Sequence, residues 1–337
     1  MEGTLNRRVL LGMGALTLTG LSAHAQGASG DALWPDAAET IVLWPGTPPG
    51  GKGVHLVRKV VEAPGNADPA WHNRFITGIG TPTLTVFRPK QPDGSAMLVI
   101  PGGGYGVVVC DNEGADVARR LCASGVTVFV LQYRLPAEGW ANAADVPLQD
   151  AQRAMRLIRA DAVRFGIDPG RMGVIGFSAG GHIAVSLITR SDAAVYAPQD
   201  GADALPARPV FAGLVYPVIT MLEGTHGGSR LNLLGPYPSP ETMTAYSCER
   251  HVTERTPPCF LILAADDDVV PYQPNGIAMF DALRAAKVPT ELHVFQSGGH
   301  GFGIIPAKGR LPSSWPDLFL HWGYANSWFR DDSAKPV

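Results

Sequence analysis

The junction Met172-Gly173-Val174-Ile175-Gly176-Phe177-Ser178-Ala179-Gly180-Gly181-His182 constrains this chain more than any other stretch. A run with strand character, Met172–Phe177, passes into a helical run, Ala179–Thr189, with no loop between them. Such a junction needs a tight turn, and the glycines two before and two after Ser178 let strand and helix approach without clashes. The turn holds the serine in a strained backbone conformation, its hydroxyl exposed at the carboxyl edge of a sheet. The N–H of Ala179, at the helix start, points to where negative charge develops on an attacked carbonyl. Gly176-Phe177-Ser178-Ala179-Gly180 is thus a G-x-S-x-G pattern in the strand–turn–helix setting of a nucleophile elbow. The five residues alone also fit a glycine-rich turn holding any small residue; the flanking strand and helix favour the elbow.

The surrounding pattern predicts one α/β domain. Met97–Ile100, Val126–Leu131, Leu214–Ile219, Phe260–Ala264 and Glu291–Phe295 read as further strands. Asn112–Ser124, Pro147–Phe165, Ile277–Ala286 and Leu318–Phe329 read as helices. Several strands are apolar on both faces, as in a mostly parallel sheet covered by helices on both sides. The catalytic domain is expected over 95–337, with an irregular insertion near 221–258. Residues 26–94, rich in Pro, Gly and Asp, read as an irregular segment packed on that domain, with short strands at Leu56–Val61 and Leu84–Phe87.

The first 25 residues differ. Asn6-Arg7-Arg8 precedes an apolar run to about Ser22 and then Ala23-His24-Ala25. This is the order of an export signal, and adjacent arginines before a mild apolar run fit the twin-arginine type. The run is too short to span a bilayer. The expected location is periplasmic or secreted, with no membrane anchor after signal removal. The formal net charge of −3, with no block of Lys or Arg, gives no nucleic-acid footprint. The four cysteines, Cys110, Cys122, Cys248 and Cys259, form no C-x-x-C pair, so no zinc or redox motif is indicated. Disulfides and buried free thiols both remain open.

A serine hydroxyl needs a base. Of nine histidines, His300 has the setting for it, in Ser297-Gly298-Gly299-His300-Gly301-Phe302-Gly303 directly after the strand Glu291–Phe295. His182 is expected to pack beneath the elbow; structural roles are expected of His226, His251, His293 and His321. The base needs an orienting carboxylate. The strand Phe260–Ala264 runs toward Asp266-Asp267-Asp268, which places at least one acid at the active edge. Pro101-Gly102-Gly103-Gly104-Tyr105-Gly106 follows the strand Met97–Ile100 and suits an oxyanion loop. A dinucleotide loop is disfavoured, because Val107 stands where its third Gly or Ala belongs.

On the elbow, the order serine–acid–histidine and the glycine loop, the chain resembles the α/β-hydrolase superfamily from about residue 95 to the end. Within it, the chain is similar to bacterial acetyl-xylan esterases and carbohydrate-esterase-like enzymes related to the HGGG-loop lipases and esterases. The stretches that carry this are Trp44-Pro45-Gly46, the PGGGY loop, Gln132-Tyr133-Arg134-Leu135-Pro136, Asp150-Ala151-Gln152-Arg153-Ala154, GFSAGGH, Asn232-Leu233-Leu234-Gly235 and GGHGFG. The resemblance implies an oxyanion hole from the N–H groups of Gly103, Gly104 and Ala179. Pro101 stands where the HGGG loop has its histidine, so that anchor is missing. The acid implied is Asp267, four residues before Pro271. The implied activity is a serine esterase working through an acyl-enzyme on a small-molecule or oligosaccharide ester, an acetylated sugar or xylan, with no metal or organic cofactor. Trp44 and Tyr105 are expected to offer flat faces to substrate. A general short-chain carboxylesterase, a serine peptidase or amidase, and an inactive carbohydrate-binding hydrolase fold are the alternatives.

Overall fold

Strands apolar on both faces are satisfied only between two layers of helix, and their order decides which loops meet. The computed structural model describes residues 33–63 and 71–330. The segment read as an export signal lies outside the described residues.

Eleven strands occur among them: β1 Glu39–Val42, β2 Lys59–Glu62, β3 Arg74–Thr77, β4 Thr83–Phe87, β5 Ala96–Ile100 and β6 Val108–Val109 come first. β7 Thr127–Gln132, β8 Met172–Phe177, β9 Phe211–Val215, β10 Cys259–Ala264 and β11 Thr290–Phe295 follow. The main sheet runs β1-β4-β7-β5-β8-β9-β10-β11, and β2-β3-β6 form a small second sheet. From β7 to β11 every pairing in the main sheet is parallel, while β4 pairs antiparallel with both β7 and β1. β5, β7, β8, β9 and β10 are buried at every residue. The edge strand β1 alternates between half-buried and exposed, as a strand with one wet face does.

The α-helices are α1 Asp116–Cys122, α2 Val146–Ala160, α3 Ala162–Phe165, α4 Ser178–Thr189, α5 Gly227–Leu234, α6 Pro240–Ala245, α7 Ala278–Ala285 and α8 Trp315–Ala325. α4 packs on β8 and β9, α1 on β7 and β4, α7 on β11 and α8 on β10. The strand order reverses at β5 and β8, which are neighbours in the sheet but separated in the chain by β7. A crevice outside the carboxyl ends of the strands is expected at such a switch point. The glycine loop after β5 and the elbow after β8 both open there.

Four expectations need correction. The segment 26–94 is not merely packed on the domain: β1 and β4 belong to the main sheet. The strand expected over Leu214–Ile219 is β9, which starts at Phe211 and ends at Val215, because Tyr216 turns out of it with φ 35°. The helix expected from Asn112 begins with a π-helical turn, Asp111–Ala115, and becomes α-helical only at Asp116. The long helix Pro147–Phe165 is broken at Asp161, which separates α2 from α3. The insertion near 221–258 carries α5, α6 and the 3₁₀ turn Cys248–His251.

Candidate active site

Ser178 sits at the β8–α4 junction with φ 51°, a left-handed conformation costly for a residue with a side chain. Neighbouring contacts over-determine it. A Cβ on Gly176 would lie 2.3 Å from the Gly180 carbonyl oxygen, and one on Gly180 would lie 2.1 Å from that of Ile100. Only glycine permits strand, helix and the end of β5 to meet this closely.

His300 Nε2 lies 2.8 Å from Ser178 Oγ, and His300 Nδ1 lies 2.7 Å from Asp267 Oδ2. A carboxylate can only accept, so Nδ1–H donates to Asp267 and Nε2 is left to accept from the serine hydroxyl. Asp267 Oδ1 accepts the backbone N–H groups of Val269 and Val270 at 3.0 and 2.9 Å, which fixes the carboxylate. Asp266 takes a different part. It accepts the N–H groups of Gly298 and Gly299 at 2.7 and 2.8 Å, holding the loop that carries His300. Those amides, Gly299 first, hold the Asp266 carboxyl below the usual range. Asp268 is exposed.

The glycine loop lies against the elbow: a Cβ on Gly102 would fall 2.8 Å from Ser178 Cβ. The Gly102 N–H is engaged by Glu113 Oε2 at 2.7 Å. The N–H groups of Gly103 and Gly104 have no hydrogen-bond partner among the described residues. They are therefore free to receive an oxyanion, together with Ala179 in the first turn of α4. Three groups replace the anchor that Pro101 cannot supply. Besides Glu113, Tyr133 Oη donates to the Pro101 carbonyl at 3.0 Å, and Asn232 Nδ2 on α5 donates to the Gly104 carbonyl at 2.9 Å.

Sequence reasoning missed the π-helical turn as a functional element. Asp111 binds Arg74 and the Trp34 indole. Asn112 Nδ2 donates to the Gly301 carbonyl at 3.0 Å, next to His300. Glu113 accepts from Gly102 N–H and from Tyr216 Oη at 2.9 Å. The Tyr216 ring packs on His300, 4.9 Å between centroids. All three polar side chains are buried. A polar run at a helix start reads as a solvated first turn, so composition gave no signal.

The flat faces expected of Trp44 and Tyr105 are not available. Tyr105 is 1% exposed and its hydroxyl lies 2.7 Å from His182 Nδ1. Trp44 is 3% exposed and donates to Asp150, which also binds Arg134. The WPG, QYRLP and DAQRA stretches therefore meet in one buried ion-pair network behind the site. His182 lies on α4 and is buried there, its Nε2–H donating to the Tyr246 carbonyl at 2.7 Å. His226 caps α5 by accepting the Ser229 N–H at Nδ1. Burial pushes His226 down, and the nearby charges of His300 and Asp267 also reach it, so it borders the site. The four cysteines are free, and burial raises each thiol above its ordinary value. No group of His, Cys, Asp and Glu that could hold a metal occurs among the described residues.

Residues 97–304 match the profile of a family described by the alpha/beta hydrolase fold. Over 229 residues the chain is 36% identical to the acetylxylan esterase of Xylanibacter ruminicola, a match covering 67% of this chain and 44% of that protein. It is 38% identical over 219 residues to the endo-1,4-beta-xylanase B of Butyrivibrio fibrisolvens, covering 65% of this chain and 34% of that protein. The chain thus spans less than half the length of either relative. The crystal structure of an acetyl ester-xyloside bifunctional hydrolase from Caldicellulosiruptor lactoaceticus is similar with a TM-score of 0.72 and 31% identity, covering 89% of this chain and 100% of that one.

Proposed function

The chain belongs to the alpha/beta hydrolase family, and from that premise we propose that it is a serine esterase acting through an acyl-enzyme on acetylated sugars or xylan fragments. The observation that carries the reading is the unbroken chain from Ser178 Oγ through His300 to Asp267, set beside unengaged backbone amides. Ser178 Oγ attacks the ester carbonyl while His300 Nε2 takes its proton. The N–H groups of Gly103, Gly104 and Ala179 hold the oxygen as it becomes an oxyanion. Asp267 keeps the ring oriented and favours its cationic form. His300 then returns the proton to the leaving alcohol. Water repeats the sequence on the acyl-enzyme and frees the acid.

The acetyl-sugar part draws on the named esterase relatives and on the surface of the insertion. A cleft of about 480 Å³ beside α5 is lined by Gly227, Arg230, Leu231 and Tyr237. Gly227 directly follows His226, which feels the charges of His300 and Asp267, and we place the alcohol side of the substrate along this cleft. Tyr237 is 95% exposed between two prolines and presents the aromatic face that Trp44 and Tyr105 do not. α5 and α6 are 8 and 6 residues long, too short for the large apolar lid that long acyl chains would need. Export by the twin-arginine route is part of the same proposal, tested by changing Arg7 and Arg8 together to Lys and following the protein's location.

The deciding experiment is a hydrolysis panel of acetylated xylo-oligosaccharides, aryl esters from acetyl to octanoyl, feruloyl esters and peptide amides. It is paired with organophosphonate labelling mapped by mass spectrometry. Acetate release together with a label on Ser178 is the expected result. Cleavage of amides instead of esters would make the chain a peptidase or amidase. Absence of any label or turnover would leave a carbohydrate-binding hydrolase fold.

A further inference from the structure

We propose that Glu113 is a buried carboxylate anion that steadies the protonated His300 of the reaction and pins the oxyanion loop. It is a positioning residue, and the inference rests on the serine-esterase reading above.

The hydrogen bonds fix its charge state. Oε2 is met by the Gly102 N–H, which can only donate. Oε1 is met by Tyr216 Oη, whose oxygen already accepts the Gly303 N–H at 3.1 Å. If Glu113 carried a proton, it would have to give it to Tyr216, and the phenolic hydrogen would then lose its acceptor. The ionised form satisfies every donor; the neutral form strands one in a buried site. Burial is the largest influence and leaves the carboxyl raised, against the Gly102 N–H, the His300 charge and the Tyr216 hydroxyl, which all pull it down. The hydrogen-bond pattern, in which both neighbours donate, is what favours the charged form.

The charge is aimed at the reaction. His300 faces Asp267 from the loop after β10, Ser178 from the elbow and the Tyr216 ring from the end of β9. It also feels His226 at the start of α5. Glu113 itself faces Tyr216 and Tyr133, and burial raises both phenols, so neither adds a charge. Asp267 bonds the His300 ring directly, and the charge of His300 acts on Glu113, an interaction that is mutual. When His300 gains its proton, Asp267 answers at Nδ1 by a direct bond, and Glu113 answers through space behind Tyr216. The same carboxylate holds Gly102, so one group favours the imidazolium by its charge and fixes the glycine loop by a hydrogen bond.

The test is the pH profile of kcat/KM for an aryl acetate, in the unaltered enzyme and in Glu113→Gln and Glu113→Asp. Glutamine keeps the volume and removes the charge. The protonated ring is then less favoured, so the acidic limb moves to lower pH by about half a unit to one unit, and kcat falls roughly 10- to 100-fold. Aspartate keeps the charge on a shorter arm, so the limb stays near its original place while kcat still falls. A glutamine variant with reduced kcat and an unmoved limb would reduce Glu113 to packing and overturn the proposal. Should the variants not fold, neutron diffraction of the unaltered protein at neutral pH decides. A deuteron on the Glu113 carboxyl overturns the proposal; one on Tyr216 Oη directed at Glu113 supports it. Failure of a phosphonate to label Ser178 sinks the serine-esterase reading itself. Labelling with an unmoved limb sinks only this inference.

Discussion

The hydroxyl of Tyr105 donates to Nδ1 of His182 at 2.7 Å, so the oxyanion loop and the helix behind the serine share one buried polar contact. With Nε2–H given to the Tyr246 carbonyl, Nδ1 of the neutral ring is the acceptor; protonating the ring would reverse this bond and bury a charge. Burial accordingly holds His182 down to about 4, from an ordinary 6.5. A depressed histidine contributes its stability above the ordinary value and loses it as pH falls toward the folded value. Unfolding free energy at pH 4.5 should therefore be lower than at pH 7 by about 2–3 kcal/mol from this residue. Urea titrations of the wild type and of His182→Gln at both pH values check this. Glutamine cannot titrate, and its loss between the two should be smaller by about that amount.

Ser178→Ala should lose turnover by on the order of a million-fold while remaining folded, since only one hydroxyl is removed. Circular dichroism, steady-state kinetics and phosphonate labelling measure the two halves of that statement. A folded alanine variant with substantial esterase activity would remove the assignment of the nucleophile.

The three consecutive acids should separate cleanly. Asp267→Asn should cost on the order of 10⁴ in kcat, through the wrong tautomer of His300. Asp266→Ala should cost about 10-fold, because the loop carrying His300 loses its hold on Gly298 and Gly299 and the ring drifts. Asp268→Asn should stay within about twofold of wild type, as expected for an exposed change. Comparable losses at Asp267 and Asp268 would contradict the hydrogen bond at His300 Nδ1.

Asn232 and Tyr237, both in the insertion, should behave differently. Asn232→Leu frees the Gly104 carbonyl and should lower kcat for every ester about 10-fold, since it loosens an oxyanion donor. Tyr237→Ala should raise KM for acetylated xylo-oligosaccharides about fivefold and leave a small aryl acetate unchanged, since only a long alcohol reaches the cleft. Parallel kinetics on the two substrates give the answer. An equal effect of Tyr237→Ala on both would remove the cleft from the substrate path.

What the sequence revealed followed the range of the forces involved. β5, β8 and β10, the elbow and the glycine loop are local events, written in apolar runs and in glycine positions. His300 stood out because a glycine loop after a strand is also local. Glu113 and Asn112 did not, because partners that define their roles lie far along the chain: Tyr216 is 103 positions from Glu113, and Gly301 is 189 from Asn112. Trp44 was misread for the opposite reason. Its flat ring is local knowledge, whereas its bond to Asp150, 106 positions on, is not. The π-helical winding of Asp111–Ala115 likewise has no periodicity signal, since one extra residue in a turn leaves the apolar spacing of α1 untouched.

That winding also acts as a gauge block. Asp111 reaches the small sheet side, Asn112 the loop of His300 and Glu113 the loop of Gly102, and each does so only at its present angle about the helix axis. A residue deleted from the turn would restore ordinary winding and swing the side chains before it by about 100°. α1 and its packing on β7 could survive that change, while all three tethers would miss their marks together. Relatives of this chain should consequently tolerate substitutions on the outer face of α1 far better than any change of length between β6 and α1.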